Sequence, residues 1–227
     1  METPASLLLM PDISGFTVFV HATELEHSQL IISGLLETLI AADHLDLSVA
    51  EIEGDAVLFY KEGQVPAPER ILYQARRMFG AFHAWVADYQ RTCSCTCAAC
   101  QAVGGLTLKV VAHAGPLGFT TVRQQRKPFG PAVITLHRLL KNDVPSHEYL
   151  LLTDDLLGTG RPAASTWAGA RPGSARYDGL GEIGYLHLSL RAGAPVPEPT
   201  APQPARFSFR GLWDQLVQSL PGRTQPN

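Results

Sequence analysis

The chain has 227 residues, a length typical of one domain with an appendage. Hydrophobic residues make up 45% of it and charged residues 17%, which is the composition of a folded globular protein and argues against a disordered one. The formal net charge of −3 argues against a nucleic-acid-binding protein, because such proteins usually carry a basic excess.

The apolar runs of the sequence are short. None reaches the ~18–20 residues that a membrane-spanning helix needs, so we expect no transmembrane segment. Residues 1–4 lack a positively charged region, and residues 7–10 are too short for the apolar core of a secretory signal. We therefore expect a cytoplasmic protein, in which the four cysteines are thiols or metal ligands rather than a disulfide framework.

The hydrophobic periodicity predicts alternating strands and helices. In chain order we expect a strand (6–10), a helix with apolar residues between 30 and 40, a hairpin (45–51 and 56–60), a second helix (69–89), a strand (106–113) continued by a hairpin arm (115–122), a third helix (132–141) and two strands (149–152 and 185–190). The order β-α-β-β-α-β, followed by a helix and strands, predicts an α+β fold with a ferredoxin-like core.

The composition changes after Ala192. Five prolines between positions 195 and 204 predict an extended linker over 193–205. Apolar residues at helical spacing predict an amphipathic tail over 206–227, which docks on its own domain or on a dimer mate, or alternatively binds a membrane surface or a partner. We therefore expect a folded domain over 1–192, a linker and a tail.

Two acidic residues occur at predicted turns beside one end of the sheet. Asp12 follows the first strand and begins a turn that contains Gly15, and Asp55 lies in the hairpin turn. The first strand and the hairpin are neighbours in a ferredoxin-like sheet, so we expect both carboxylates to converge. Two carboxylates and substrate phosphates suit Mg²⁺ or Mn²⁺, and the N–H groups of Phe16 and Thr17 favour an anion. The alternative is ordinary turn chemistry, since Asp and Gly are common turn residues.

Several segments resemble those of class III adenylate and guanylate cyclases. The similar segments are 12–17 (DISGFT) and 51–55 (EIEGD) for metal binding, 109–115 (KVVAHAG) for the central strand, and 130–138 for the dimer-interface helix, and the resemblance covers roughly residues 5–155. With its Cys-rich insert and the run 137–142 (HRLLKN), the chain also resembles an uncharacterised bacterial branch of that superfamily, the family DUF2652.

The resemblance implies a homodimer that converts a nucleoside triphosphate into a cyclic nucleotide and pyrophosphate. Cyclases of this class carry out the reaction with two divalent cations. The residues that the resemblance assigns are Asp12, Ile13 and Asp55 for two Mg²⁺ or Mn²⁺ ions, Gly15, Phe16 and Thr17 for the phosphates, Glu51 and Lys127 for the base, and Arg138 of the second protomer for the charge on the α-phosphate.

Two positions depart from the family pattern. Ile134 stands where the family commonly has an asparagine that positions the ribose. Glu51 is similar to the base-contacting carboxylate of guanine-reading cyclases, but Lys127 is not its usual companion and could instead pair with it. These departures favour an alternative function, a degenerate cyclase-like domain that binds a nucleotide or dimerises in signalling.

The cysteines form a dense cluster after the second helix. Cys93, Cys95, Cys97 and Cys100 suit Zn²⁺, and four thiolates would complete a tetrahedral structural site. The single-residue gaps are tight, so His83 on the preceding helix is a candidate substitute ligand. Free thiols and a disulfide are the alternatives, and a zinc-dependent interaction protein is a third, weaker functional hypothesis.

Overall fold

The computed structural model describes residues 3–158 and 167–191 of the chain. Its elements are, in chain order, β1 (Ala5–Ser14), α1 (Phe16–Ala22), α2 (Leu25–Ala41), β2 (Ser48–Glu53), β3 (Ala56–Lys61), α3 (Pro68–Thr92), α4 (Ala98–Ala102), a 3₁₀ turn (Val103–Gly105), β4 (Thr107–Pro116), β5 (Gly118–Val122), β6 (Gln125–Phe129), α5 (Pro131–Leu139), β7 (Tyr149–Thr153), α6 (Asp154–Leu157), β8 (Arg171–Tyr177) and β9 (Gly181–Ser189).

A seven-stranded mixed sheet forms the centre of the fold. Its strand order is β2-β3-β1-β4-β7-β9-β8, and only the β4–β7 pair is parallel. Strands β5 and β6 form a separate two-stranded sheet. Because β1 lies between β3 and β4, the turn that joins β2 to β3 is brought beside the carboxyl end of β1.

Strand β1 is covered on both faces, which explains its continuous apolar run. Leu7 and Leu9 belong to the core that includes residues of α2 and α3, whereas Leu8 and Met10 belong to a second core that includes residues of α5. All four side chains are at most 1% exposed. Each buried side chain of this size contributes about 1.5–3 kcal/mol of transfer free energy. This burial stabilises β1 and fixes the position of the residues at its carboxyl end.

The predicted fold is confirmed. The described residues form a mixed α+β domain with the β-α-β-β-α-β order at its start and an additional helix and strands after it. The first helical region consists of two helices, α1 and α2, and β1 extends four residues beyond the predicted strand, through Ser14.

The predicted hairpin arm over 115–122 is wrong. Gly115 and Pro116 continue β4 and pair with β1, while β5 pairs with β6 instead. The turn between β5 and β6 was hidden in the sequence because Arg123 and Gln124 occupy its two positive-φ positions, at 46° and 68°, where glycine or asparagine is the usual signal. Pro128 inside β6 further masked that strand.

The carboxyl-terminal predictions lie outside the described residues. The linker over 193–205 and the amphipathic tail over 206–227 are therefore still predictions, as is the boundary of the domain at 192. Among the described helices, none combines the length and the hydropathy needed to cross a bilayer.

Candidate nucleotide and metal sites

Asp12 lies near the carboxyl end of β1, between two neighbouring strands. It pairs in register with Ala56 of β3 and Lys109 of β4. Its side chain is only 15% exposed, and burial raises the pKa of its carboxyl above the ordinary value, outweighing the opposite effect of Lys109. A carboxylate held at this position is poorly hydrated, so a cation in front of it would stabilise its charged form.

Asp55 reaches the same place from the turn between β2 and β3. Gly54 turns the chain with a φ of 64°, and the carbonyl of Asp55 accepts a 3.1 Å hydrogen bond from the N–H of Ile13. Burial, reinforced by the negative charge of Asp12, raises the pKa of the Asp55 carboxyl to about 6. The expected convergence of Asp12 and Asp55 is thus found, and their mutual repulsion is the electrostatic condition that a divalent cation relieves.

Lys109 is a third member of this group, and sequence reasoning did not single it out. Its Nζ atom lies 3.4 Å from Oδ1 of Asp12 and donates a 3.2 Å hydrogen bond to the carbonyl of Leu140, just after α5. It lowers the pKa of both Asp12 and Asp55 but compensates only part of their burial. Two carboxylates therefore share one partly buried ammonium group.

Gly15 forms the turn between β1 and α1. It adopts a φ of 91°, and its carbonyl accepts the first hydrogen bond of α1, a 3.0 Å bond from the N–H of Phe19. Phe16 is partly buried and Thr17 is exposed. Ile13 is buried in the core and has no polar side-chain atom, so its carbonyl is the only group that it could offer to a metal.

A single cleft of about 1230 Å³ joins these groups to helix α5. Ile134, which is 53% exposed, and Arg138 line it from that helix. Beside them, Nδ1 of His137 lies 3.5 Å from a carboxylate oxygen of Glu53. The residues assigned to metal, phosphate and charge stabilisation that the cleft brings together are Asp12, Ile13, Gly15, Phe16, Thr17, Asp55 and Arg138.

Glu51 and Lys127 form a separate pair outside the lining of this cleft. Nζ of Lys127 donates a 2.7 Å hydrogen bond to Oε1 of Glu51, and each side chain is about 40% exposed, at 39% and 41% respectively. This ion pair connects β6, which contains Lys127, to β2, which contains Glu51. The expected pairing of the two residues is present, whereas their contact with a base is untested.

The cysteine cluster has a different ligand set from the one predicted. His27, Cys95, Cys97 and Cys100 place their donor atoms within 4.8 Å of one another, and this group of three thiols and one imidazole could bind a metal such as zinc. Cys93 ends helix α3 and lies outside the group. The structure therefore groups three of the four predicted cysteines with His27 and leaves Cys93 outside that group.

His83, the histidine predicted as a substitute ligand, does not belong to this group. Its Nε2 atom lies 3.3 Å from Oε1 of Glu148, and its ring packs edge-on against Phe79, with ring centroids 4.3 Å apart. His27 could not be found from local spacing, because 68 positions separate it from Cys95. Only the packing of α2 beside α4 brings the imidazole to the thiols.

The thiols of the cluster differ in their pKa. Burial raises the pKa of the Cys100 thiol, whereas a hydrogen bond to the Cys97 backbone lowers the pKa of Cys95. All four cysteines are free thiols in the structure, so the disulfide alternative is not the state described. A bound metal would take the thiolate forms and release their protons.

Comparisons with known proteins now place the chain. The profile of a family described as "Protein of unknown function (DUF2652)" matches residues 32–149, more than half of the 227 residues. The chain belongs to this family. An uncharacterised protein of Mycobacterium tuberculosis, Rv2561/Rv2562, is 29% identical over 187 residues, which cover 79% of this chain and 81% of that protein.

Solved catalytic domains of nucleotide cyclases share the fold. The guanylyl cyclase Cya2 superposes with a TM-score of 0.58 at 15% identity, covering 83% of this chain and 98% of that one. The adenylyl cyclase CyaB from P. aeruginosa gives 0.54 at 13% identity, over 82% and 96% of the two chains. The guanylate cyclase domain of RhGC from Catenaria anguillulae, in complex with GTP, gives 0.53 at 16%, over 83% and 98%. The predicted class III cyclase fold is thus confirmed.

Proposed function

We propose that the protein is a homodimeric nucleotide cyclase, which converts a nucleoside triphosphate into a cyclic nucleotide and pyrophosphate. The observation that carries the proposal is the convergence of Asp12 and Asp55, with one shared ammonium group, on one wall of a large cleft. On a class III cyclase fold, this arrangement suits a polyanionic substrate that arrives with its cations.

The donor set fits Mg²⁺ or Mn²⁺. Asp12 and Asp55 supply hard carboxylate oxygens, and the raised pKa of each reports a charge that lacks full compensation. Two such ions would supply Lewis acidity at the attacking hydroxyl and at the triphosphate. Asp12 and Asp55 would hold the ions, with the carbonyl of Ile13 as a further oxygen donor.

The other residues of the cleft would orient the substrate and stabilise charge. The N–H groups after Gly15 and the ammonium group of Lys109 face the phosphates. The ribose 3′-oxygen forms a bond to the α-phosphorus, the bond from that phosphorus to the bridging oxygen breaks, and pyrophosphate leaves with the electron pair, while the hydroxyl proton passes to solvent. Arg138 stabilises the charge that develops on the α-phosphoryl oxygens.

The dimer completes the site in this proposal. Glu51 and Lys127 lie outside the cleft of their own chain, so a base held in that cleft would need a second chain to recognise it. We propose that each chain presents Glu51, Lys127 and Arg138 to the metal-binding residues of its partner. The ion pair between Glu51 and Lys127 would then rearrange or be shared when a base binds.

A second candidate function is nucleotide binding without turnover, in a dimerising signalling module. Ile134 favours it, because an aliphatic side chain in the cleft cannot donate the hydrogen bond of an amide. The Glu51–Lys127 pair favours it as well, since two groups that already satisfy each other are less available to a base.

One experiment separates the two functions. The protein is incubated with each of the four nucleoside triphosphates and Mn²⁺, and chromatography detects a cyclic product. We expect Asp55→Ala to abolish the product while the protein remains folded, and Asp178→Ala, a change at an exposed turn of β8 and β9, to leave the product intact. An Asp55→Ala protein as active as the parent would refute the metal assignment. Binding of a nucleotide without product would establish the second function.

We also propose zinc as the metal of the Cys/His cluster. Three thiolates and one imidazole are soft and borderline donors, which select zinc over Mg²⁺ or Mn²⁺. With four protein ligands, the site has no open position for a substrate, so its role would be structural.

A further inference from the structure

We infer that His27, Cys95, Cys97 and Cys100 form a zinc brace, a closed site that fixes the wall of the nucleotide cleft around Gly15. The inference rests on the zinc proposed for this cluster and goes beyond it, and it holds whether or not the cleft turns over a nucleotide. A metal bound at the cluster would restrain the proposed phosphate-binding turn at Gly15.

Two of the three sulfur–nitrogen distances within the cluster match those of a tetrahedral zinc site, and the third is shorter. With Zn–S of about 2.3 Å and Zn–N of about 2.0–2.1 Å, tetrahedral angles put a sulfur and a nitrogen ligand about 3.5–3.6 Å apart. Nδ1 of His27 lies 3.6 Å from Sγ of Cys95, 3.5 Å from Sγ of Cys100 and 3.0 Å from Sγ of Cys97. One nitrogen that contacts three sulfurs cannot donate to all of them, whereas a central cation binds all four atoms at once.

Neighbouring groups hold the ligands in place. The two oxygens of the Glu24 carboxylate accept hydrogen bonds from the N–H groups of Ala98 and Ala99, at 3.3 and 3.1 Å. Sγ of Cys97 accepts one from the N–H of Cys100, at 3.5 Å, and Sγ of Cys100 lies 3.1 Å from the hydroxyl of Tyr89. Such outer contacts orient metal ligands before the metal arrives.

The cluster joins two chain segments that both reach the cleft. Glu24 and His27 stand at the start of α2, directly after α1, which itself begins after Gly15. On the other side, Cys100 lies in α4, and the following 3₁₀ turn ends at Gly105. Gly15 and Gly105 both line the cleft, and a Cβ on Gly15 would lie 3.5 Å from the Gly105 carbonyl oxygen.

A metal at the cluster would therefore restrain both walls of the phosphate-binding turn. It closes a long loop, since His27 and Cys95 are 68 positions apart, and such a closure mainly restricts the opened and unfolded states. Without the metal, α4 would be held by its five residues of helix, by the burial of Ala99 and by its contacts with Glu24 and Tyr89. Loss of zinc should thus increase local opening of α4 and α1 while the sheet stays folded.

The ligand set is tested by counting zinc, which requires no nucleotide. Protein purified from a reducing cytoplasm should contain about one zinc ion per chain, and His27→Ala and Cys97→Ser should each lose most of it. The matched controls Cys93→Ser and His83→Ala should retain it, because Cys93 lies beside Cys100 and Tyr89 without joining the four donor atoms, and His83 lies apart from them. A metal-free parent with four titratable thiols, or an equal loss in Cys93→Ser, would overturn the site.

The brace is tested on the folded parent, so that a variant that fails to fold cannot decide the outcome. Zinc is removed with a chelator under reducing conditions and then added back, and amide hydrogen exchange is followed along the chain. We expect faster exchange in 15–27 and 98–105 without zinc, unchanged exchange in β1 and β4, and recovery when zinc returns. Removal that leaves 15–27 unchanged would overturn the brace while the zinc count still stood.

Discussion

Replacing Asp55 with asparagine should make the metal-free protein more stable at neutral pH, although it removes a residue proposed to bind metal. Asparagine has nearly the same shape and can accept the same hydrogen bond from its own backbone. It carries no charge, and so it avoids both the burial penalty and the repulsion from Asp12. The substitution should therefore relieve a local destabilisation that the site imposes on the fold.

The size of the effect follows from the pKa. Burial and then Asp12 raise the pKa of Asp55 from 3.8 to about 6. A pKa difference of about 2 between the folded and unfolded chains corresponds to a ceiling of about 3 kcal/mol. The carboxylate remains partly open to solvent, which screens its interactions, so we expect a gain of about 1 kcal/mol. For a chain of this size, that gain raises the melting temperature by about 2–4 °C.

The pH dependence of the stability difference tests the direction of the predicted effect. Because the folded pKa is above the unfolded one, the destabilisation is complete above about pH 6, shrinks as the pH falls, and disappears only below 3.8, where the carboxyl becomes protonated in both states. The melting temperatures of parent and Asp55→Asn, without metal, should thus differ at pH 7.5 and differ by much less near pH 4. The control Asp178→Asn removes the same charge at an exposed turn and should leave the melting temperature unchanged at both pH values. A variant less stable than the parent at pH 7.5, or equally stabilised at both pH values, would refute the reasoning.

Two further predictions concern the charged groups of the cleft. Lys109→Met should destabilise the metal-free protein at pH 7.5 by about 1–3 kcal/mol, because it leaves the 15%-exposed carboxylate of Asp12 without its cation, and Mn²⁺ should restore part of the loss in the same melting assay. An unchanged melting temperature would mean that the pair contributes nothing. If the parent is active, mixed Asp55→Ala and Arg138→Ala homodimers should recover about a quarter of the parent activity, since about half of the re-equilibrated dimers are mixed and each of these has one intact site. No recovery despite verified subunit exchange would place Arg138 in its own chain's site, or outside catalysis.

The architecture was predictable because its strongest signals are local. The apolar run at Leu7–Met10 and the helical spacing of apolar residues in α2 and α3 report burial directly. Strands β6 and β8 gave no such signal, since β6 contains Pro128 and β8 alternates exposed and partly buried positions at the edge of the sheet. Their strand form depends on pairing with β5 and β9, which no single segment encodes.

The same distinction between local signals and contacts with other elements applies to the residues of the candidate sites. Asp12 and Asp55 could be placed together because each stands at a recognisable turn and the fold class makes their strands neighbours. Lys109 and His27 were missed because their roles depend on partners in other elements: Lys109 faces Asp12 across the β1–β4 pair, and His27 meets the thiols through helix packing. Histidine spacing along the chain pointed instead to His83, which is nearer in sequence but lies beside Glu148.

The two halves of the proposed site differ in how far they retain the chemistry of a cyclase. The half that would meet metal and phosphates, Asp12, Asp55 and the turn at Gly15, is assembled within one chain and shows the unrelieved charge that a cation would satisfy. In the half that would meet the sugar and base, Ile134 offers no hydrogen bond, and Glu51 is occupied by Lys127. In the proposed function, binding of a metal triphosphate would therefore depend on the first half alone, whereas turnover would depend on whether a second chain can supply what Ile134 lacks. A nucleotide that binds with similar affinity whichever base it carries, and in a manner that requires Mn²⁺ and Asp55, would be the direct consequence of that division.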